Sequence, residues 1–340
     1  MTDTRSDTTE ILVVVTPDFN LAATMAFLDP FRAANYLEGS TLFRWSIISP
    51  DGGMVMASNG VAIDTGPLTQ ARPSPEFVIV SSSWTPERYA SRTLRAFLQR
   101  LARQRATLGG LDTGAFILAD AGLLAGKRAT VHYEHIDAFI ELYPDTDVTE
   151  DLFVADGDRL TCCGGQASAD LALHILRERL GETVANSAAR YVFHQTIRPG
   201  RTQQLPSLTE PLGHSVPASV RTAIRQMEAH LEEPLTIPEI AAEAGLSQRQ
   251  LNRLFARHLG KTTALYYRDI RLDRARGLVT QTELPLTEVA IASGFRSQVT
   301  FSRAYRERFG LPPGKDRTEG RVPFEFRAWP MHRPARAMQP

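Results

Sequence analysis

The stretch IPEIAAEAGLSQRQLNRLFARHLG (residues 237–260) is followed by LTEVAIASGFRSQVTFSRAYRERFG (residues 286–310), and the two read as copies. Glu239, Ile240, Ala241 and Gly245 match Glu288, Val289, Ala290 and Gly294 at a constant offset. One extra residue enters the second turn. After it Ser247, Gln248, Leu251, Arg253, Phe255 and Gly260 match Ser297, Gln298, Phe301, Arg303, Tyr305 and Gly310. In each copy a short helix runs into a glycine, whose missing Cβ suits the left-handed backbone of a tight turn. A serine then stands where it can cap the next helix. Leu251, Leu254 and Phe255 recur at helical spacing, as do Phe301, Ala304 and Tyr305, so one face of each second helix goes to a core. Helix, tight turn and amphipathic helix form the helix-turn-helix pattern. One copy would also fit helices packed for their own sake. Two copies joined by an Arg-rich amphipathic helix over residues 264–280 make a double-stranded DNA operator the expected partner.

The outward face of the first second-helix holds Gln248, Arg249, Asn252 and Arg253. In the second copy it holds Gln298, Val299, Thr300, Ser302, Arg303 and Arg306. Arg can donate two bonds to guanine, Gln or Asn can pair with adenine, and a Val or Thr methyl can meet a thymine methyl. These ten are the expected base-reading residues, with flanking lysines and arginines as phosphate partners.

Charge is distributed accordingly. The whole chain is neutral, with 38 Lys+Arg against 38 Asp+Glu over 340 residues. Residues 211–340 carry 20 Lys+Arg against 13 Asp+Glu, and residues 1–210 carry 18 against 25. A basic third on an acidic body is the asymmetry of a DNA-binding module joined to something else. The length allows two domains, each with its own core. No apolar run reaches membrane-spanning length, and the polar start MTDTRSDTTE is unlike a signal peptide. The adjacent Cys162 and Cys163 are poorly placed for an ordinary disulfide and too few for a zinc site. A reducing cytoplasm fits. Nothing calls for a cofactor, a metal or a membrane.

Ahead of the basic region, strands are expected at residues 10–17, 43–50, 76–83 and 129–133, and a hairpin at 152–165 around its Asp-Gly turn. Residues 21–37 have helical spacing with Pro30 as an expected kink. A strand, tight turn and helix cover 107–124, and helices are expected at 94–105, 137–143, 167–180 and 182–193. Such alternation predicts a mostly parallel sheet with helices on both faces. Four prolines between residues 198 and 217 mark a linker. The domains expected are a disordered tail at 1–9, a sensing domain at 10–197, the linker at 198–217, a DNA-binding domain at 218–316 and a loose tail at 317–340.

RLDRARGLV (residues 271–279) and GFRSQVTFSRAYRERFGLPP (residues 294–313) resemble the AraC/XylS family of transcription regulators. The resemblance implies a rigid helical module that sets its two reading helices in consecutive major grooves about 34 Å apart. GGLDTGAFILADAGLLAGKRATVHYEH (residues 109–135) resembles the nucleophile-elbow region of the class I glutamine-amidotransferase-like superfamily, in its PfpI-like form. The whole chain resembles the GlxA group, in which that domain precedes an AraC-type module. The fold implied is α/β, a flavodoxin-like parallel-sheet sandwich followed by an all-α double helix-turn-helix domain.

Enzymes of that superfamily carry a cysteine at the elbow, where this chain has Asp112. A carboxylate lacks the thiolate's combination of nucleophilicity and leaving ability. His132 matches the superfamily's histidine partner but has no thiol to activate. A pocket that has lost its catalysis and holds an anion suits a cationic ligand. The strand end Ser82-Ser83-Trp84 should lie beside it. Phe19, Trp84 and Tyr133 could offer aromatic faces to a methylated amine. The N–H groups of Thr113 and Gly114 could take a carboxylate, and Glu134 completes the set. Together these fit an amino acid, a betaine or a carnitine-like zwitterion, and LDTG with HYE resembles the GlxA-group members that sense such compounds. A homodimer, and RNA polymerase as a partner if the protein activates, follow from the resemblance.

Other readings stay open. Asp112 could simply cap its helix, Trp84, Tyr133 and His132 could be packing residues, and Arg32 and Asn35 could shape the pocket or a subunit contact. Asp170 and His174 read as structural, and the cysteines as packing residues, with a redox sensor as the alternative. Asp112 could also be the carboxylate nucleophile of a DNA-tethered hydrolase or amidase, or the front domain could serve only to dimerise a constitutive regulator.

Overall fold

The computed structural model describes residues 8–72, 74–204 and 216–319. The tail at 317–340 therefore lies outside the described residues beyond Glu319, and so do residues 205–215 of the linker. The chain divides into two units with a boundary after Gln204.

The front unit runs β1 (Thr9–Val15), α1 (Leu21–Glu38), β2 (Phe43–Ser49), β3 (Gly53–Met56), β4 (Ala62–Pro67), β5 (Phe77–Ser82), α2 (Arg92–Arg103), β6 (Thr107–Asp112), α3 (Gly114–Asp120), β7 (Arg128–Ala129), α4 (Ile136–Leu142), β8 (Asp147–Val148), β9 (Phe153–Asp156), β10 (Arg159–Cys162), α5 (Ala167–Leu180) and α6 (Glu182–Tyr191). Eight strands form one sheet in the order β3-β4-β2-β1-β5-β6-β10-β9, parallel from β4 to β10 and antiparallel at both edges. Alternation along β1 divides the core. Ile11, Val13 and Val15 join α1, α5 and α6 on one face, while Leu12 and Val14 join α2, α3 and α4 on the other. This is the expected α/β sandwich.

Two local expectations need correction. Thr9 already pairs with Phe43 in β1, so the ordered domain starts inside the expected tail. The segment at 129–133 is not a strand beyond Ala129: β7 pairs with β8 over two residues, and the chain then turns into a short 3-10 helix at Tyr133–His135. Helix α1 spans Leu21–Glu38 with Pro30 inside it, as the helical spacing predicts.

The second unit is α7 (Ala218–Ala229), α8 (Ile237–Glu243), α9 (Gln248–Leu259), α10 (Thr263–Gln281), α11 (Leu286–Ala292), α12 (Gln298–Phe309) and α13 (Pro313–Glu319). Two cores form, one on each half of α10. Ile240, Leu251, Phe255 and Tyr267 belong to the first; Leu272, Val289, Phe301 and Tyr305 belong to the second. Gly245 and Gly294 take φ of 68° and 72°, the left-handed turns that the sequence repeat demands.

Candidate sensing site and nucleic-acid interface

Strand β6 ends at Asp112, whose φ of 60° is strained for a residue with a side chain. The turn is tight because two glycines let backbones touch. A Cβ at Gly114 would fall on the Val80 carbonyl oxygen, and one at Gly110 would sit 2.5 Å from the Ala115 nitrogen. This is the geometry of a nucleophile elbow, built here around a carboxylate. Gly114 is thus a packing residue first.

Asp112 is 3% exposed. Asn20 Nδ2 donates to its Oδ2 at 2.8 Å, while Asn20 Oδ1 accepts from Ala23 N and caps α1. Burial raises the Asp112 carboxyl above its ordinary value, and His132, Asn20 and Ser83 oppose that shift. Among the described residues no lysine or arginine forms an ion pair with it. Asn20 escaped the sequence reading, although an Asn directly before an apolar-periodic helix is a capping signal.

The neighbouring strand ends assemble as expected. Ser82 lies opposite Asp112 in the β5–β6 register and accepts from Thr16 Oγ1 at 2.9 Å. Thr113 donates its hydroxyl to the Ser83 carbonyl oxygen. Ser82, Ser83, Thr113 and Gly114 are all buried and Trp84 is half-buried. Tyr89 donates to Asp18 Oδ2 at 3.0 Å, linking the loops after β1 and β5. Burial and the Asp18 carboxylate push the Tyr89 hydroxyl up to about 12, so it remains a donor.

Phe19 is fully buried in the core beside α1. His132 is half-buried with its ring 4.5 Å from that of Tyr133, while Tyr133 and Glu134 are exposed. One possible cation-binding set went unrecognised in the sequence: His132, Glu134 and His135 each bring a ligand atom within 4.8 Å of the others. Its members already bond locally, since His132 Nδ1 accepts from Glu134 N at 3.4 Å and the Tyr133 hydroxyl bonds the Glu134 side chain.

The remaining singled-out residues make contacts within the front unit. Asn35 ties the end of α1 to β2, accepting from Leu42 N and Phe43 N and donating to Phe43 O. Arg32 pairs with Asp29 and lies over the Tyr191 ring. Both cysteines are buried on and just after β10, and burial pushes the Cys162 thiol well up, away from thiolate chemistry. Asp170 is buried beneath His194 and Arg198, and His174 contacts Arg177.

In the second unit, Ser247 caps α9 and forms a capping box with Gln250, and Ser297 caps α12. Gln248, Arg249, Arg253, Gln298, Thr300, Arg303 and Arg306 are exposed, Ser302 is half-buried, and Val299 is 81% exposed. An apolar side chain so exposed on an amphipathic helix has no role in that helix's own core. Asn252 is half-buried, and one lone pair of its Oδ1 accepts from Thr263 N at 3.2 Å. The arginines of α10 hold the module together: Arg271 Nη1 donates to Gly294 O at 2.8 Å, and Arg276 Nε to Asp316 at 3.0 Å.

Comparison with known proteins agrees with both units. The DJ-1/PfpI family matches residues 10–178, and the helix-turn-helix domain matches residues 240–319. The HTH-type transcriptional regulator CdhR of Pseudomonas aeruginosa is 40% identical over 301 residues, covering 88% of this chain and 89% of that protein. The chain is a GlxA-type regulator of the AraC/XylS family. The HTH-type transcriptional regulator GlxA of Rhizobium meliloti is 35% identical, covering 87% of this chain and 92% of that protein. A crystal structure of a THiJ/PfpI family protein from Pseudomonas syringae shares the fold at a TM-score of 0.51 and 21% identity, covering 70% of this chain and 91% of that one. The chain is therefore a DNA-binding transcriptional regulator, with Asp112 at its elbow. Among the described residues no helix is long and apolar enough to cross a membrane.

Proposed function

We propose that the front unit senses a small amine-bearing zwitterion, an amino acid, betaine or carnitine-like molecule, and that its binding changes operator occupancy. The observation that carries this reading is the buried Asp112 carboxylate, which has neutral donors in Asn20 and Ser83 and no lysine or arginine partner among the described residues. A buried carboxylate without a cation is costly, and a ligand's ammonium group compensates that cost directly. Ser82, Ser83, Thr113 and Gly114 line the strand ends beside it, with Trp84, His132, Tyr133 and Glu134 towards the solvent side. Since Asp112 is nearly sealed, binding requires an opening of these loops. Ligand and operator are then coupled by differential affinity for two states of the chain.

The protein works in the cytoplasm as a homodimer, so that two modules raise each other's effective concentration on one operator. It activates genes for uptake or breakdown of its ligand, with RNA polymerase as partner. Arg253, Arg303, Val299 and their neighbours read the bases, about 34 Å apart on one DNA face.

The test is a thermal-shift screen of the full chain against zwitterions, simple cations and carboxylates. A ligand present at 100 times its Kd raises stability by about 2.7 kcal/mol. A shift with zwitterions that is absent with the matching carboxylates supports the reading. A shift with carboxylates alone contradicts it.

A further inference from the structure

Residues 198–204 read as a linker, yet they are docked. Asp170, fully buried on α5, accepts from Arg198 N at 2.8 Å, Arg198 Nε at 2.9 Å, Arg198 Nη2 at 2.6 Å and His194 Nε2 at 2.8 Å. From that clamp the chain runs antiparallel to residues 150–153, the segment leading into β9. Phe153 N donates to Gly200 O, Leu152 N to Thr202 O at 2.8 Å, and Gln204 N to Glu150 O at 2.9 Å. Asp151 and Gln203 form an antiparallel bridge. Only glycine fits at 200, because a Cβ there would meet the Phe153 carbonyl oxygen at 2.7 Å and its ring at 2.9 Å.

The strap ends on the sensing site. Gln204 Nε2 has three acceptors within reach for its two N–H hydrogens, Thr130 Oγ1 at 2.8 Å, Val131 O at 2.9 Å and Asp151 O at 3.1 Å. Thr130 Oγ1 in turn donates to Asp151 O at 2.7 Å. Val131 is the residue before His132, whose charge bears on Asp112. One side chain thus joins the loop that carries His132, Tyr133 and Glu134 to the segment leading to α7. The joint is only partly satisfied: Gln204 Oε1 is buried with no hydrogen-bond partner among the described residues. The contact is made by the amide's donors, so removing the side chain removes them together.

We infer that Gln204 is the output contact of the sensor, a positioning residue through which movement of the 130–134 loop on ligand binding frees or holds the strap, and with it the chain leading to the DNA-binding unit. This rests on reading the front unit as a sensor, but not on which ligand it takes. Coupling carried by one contact acts in both directions.

The test is hydrogen exchange on the full, ligand-free chain, paired with binding to a duplex selected by the parent protein from random DNA. Gln204→Ala, and the isosteric Gln204→Met as a second variant, should speed exchange of the amides at 131–135 about tenfold, beyond the strap itself. Asp112→Asn should reciprocally alter protection at 200–204. Both Gln204 variants should change duplex affinity at least about threefold without lowering the cooperativity of unfolding. Exchange changes confined to 200–204 would overturn the inference. So would altered exchange at 131–135 with unchanged duplex affinity, because the contact would then be structural only. These readouts need no ligand, so failure of every zwitterion in the thermal-shift screen would weigh against the sensing chemistry and not against the strap.

Discussion

Arg253 and Arg303 occupy matching positions in the two copies, and both are exposed. Neither forms an ion pair among the described residues, so truncating either removes no contact that the fold depends on. Arg308 is the contrast. It donates to both Asp273 oxygens at 2.6 Å and lies 3.0 Å from Asp269, bracing α12 on α10. A bidentate arginine–guanine contact is worth about 1–3 kcal/mol of discrimination. At about 1.4 kcal/mol per tenfold, Arg253→Ala or Arg303→Ala should raise Kd roughly 5- to 150-fold. Each should relax preference at one base position and leave the melting temperature within about 2 °C. Arg308→Ala should instead lower the melting temperature. Binding of each variant to a parent-selected duplex and to its single-base variants, at fixed salt, measures this. Unchanged affinity and base preference in both Arg253→Ala and Arg303→Ala would refute the assignment of α9 and α12 as reading helices.

Two further outcomes follow from the elbow. Because burial raises the Asp112 carboxyl, its neutral form favours the unliganded fold at low pH, and that contribution is lost as pH rises through the raised value. Asp112→Asn should therefore match the parent in acid and become the more stable of the two as pH rises, in paired thermal melts from pH 4 to 8; a gap that does not change with pH contradicts this. Gly114→Ala should cost about 3 kcal/mol or more by driving a methyl onto the Val80 carbonyl, and a denaturant midpoint equal to the parent's would show that the elbow is looser than described.

The helix-turn-helix repeat was legible because its determinants are local. Gly245 and Gly294 make the turns, Ser247 and Ser297 the caps, and the apolar spacing of α9 and α12 the core face, all within a few residues. The sheet was legible through β-branched runs such as β1 and the Asp-Gly hairpin at its β9 edge, but its other edge was not. The β3–β4 hairpin is short and half polar, with Met54 and Met56 exposed, so no alternation marks it. ATVHY carries strand-forming residues, yet the chain has a partner strand only at Arg128 and Ala129, and pairing decides strand formation more than propensity does. Asp112 was placed correctly by its elbow motif. Sequence nearness to the site does not say which way a side chain points, and it is Asn20, one residue after Phe19, that contacts Asp112. The prolines after Arg198 suggested a linker from its first residue. Docking of 198–204 depends on Asp170, Phe153 and Thr130, all distant in sequence, and no local pattern reports such contacts.

The central claim is that a carboxylate at the elbow anchors a cationic group. Calorimetric titration of the full chain and of Asp112→Asn with the best zwitterion from the screen tests it most directly. Loss of a buried ionic partner should weaken binding by about 2–5 kcal/mol, roughly 30-fold or more. Equal affinity of the two proteins would contradict the claim.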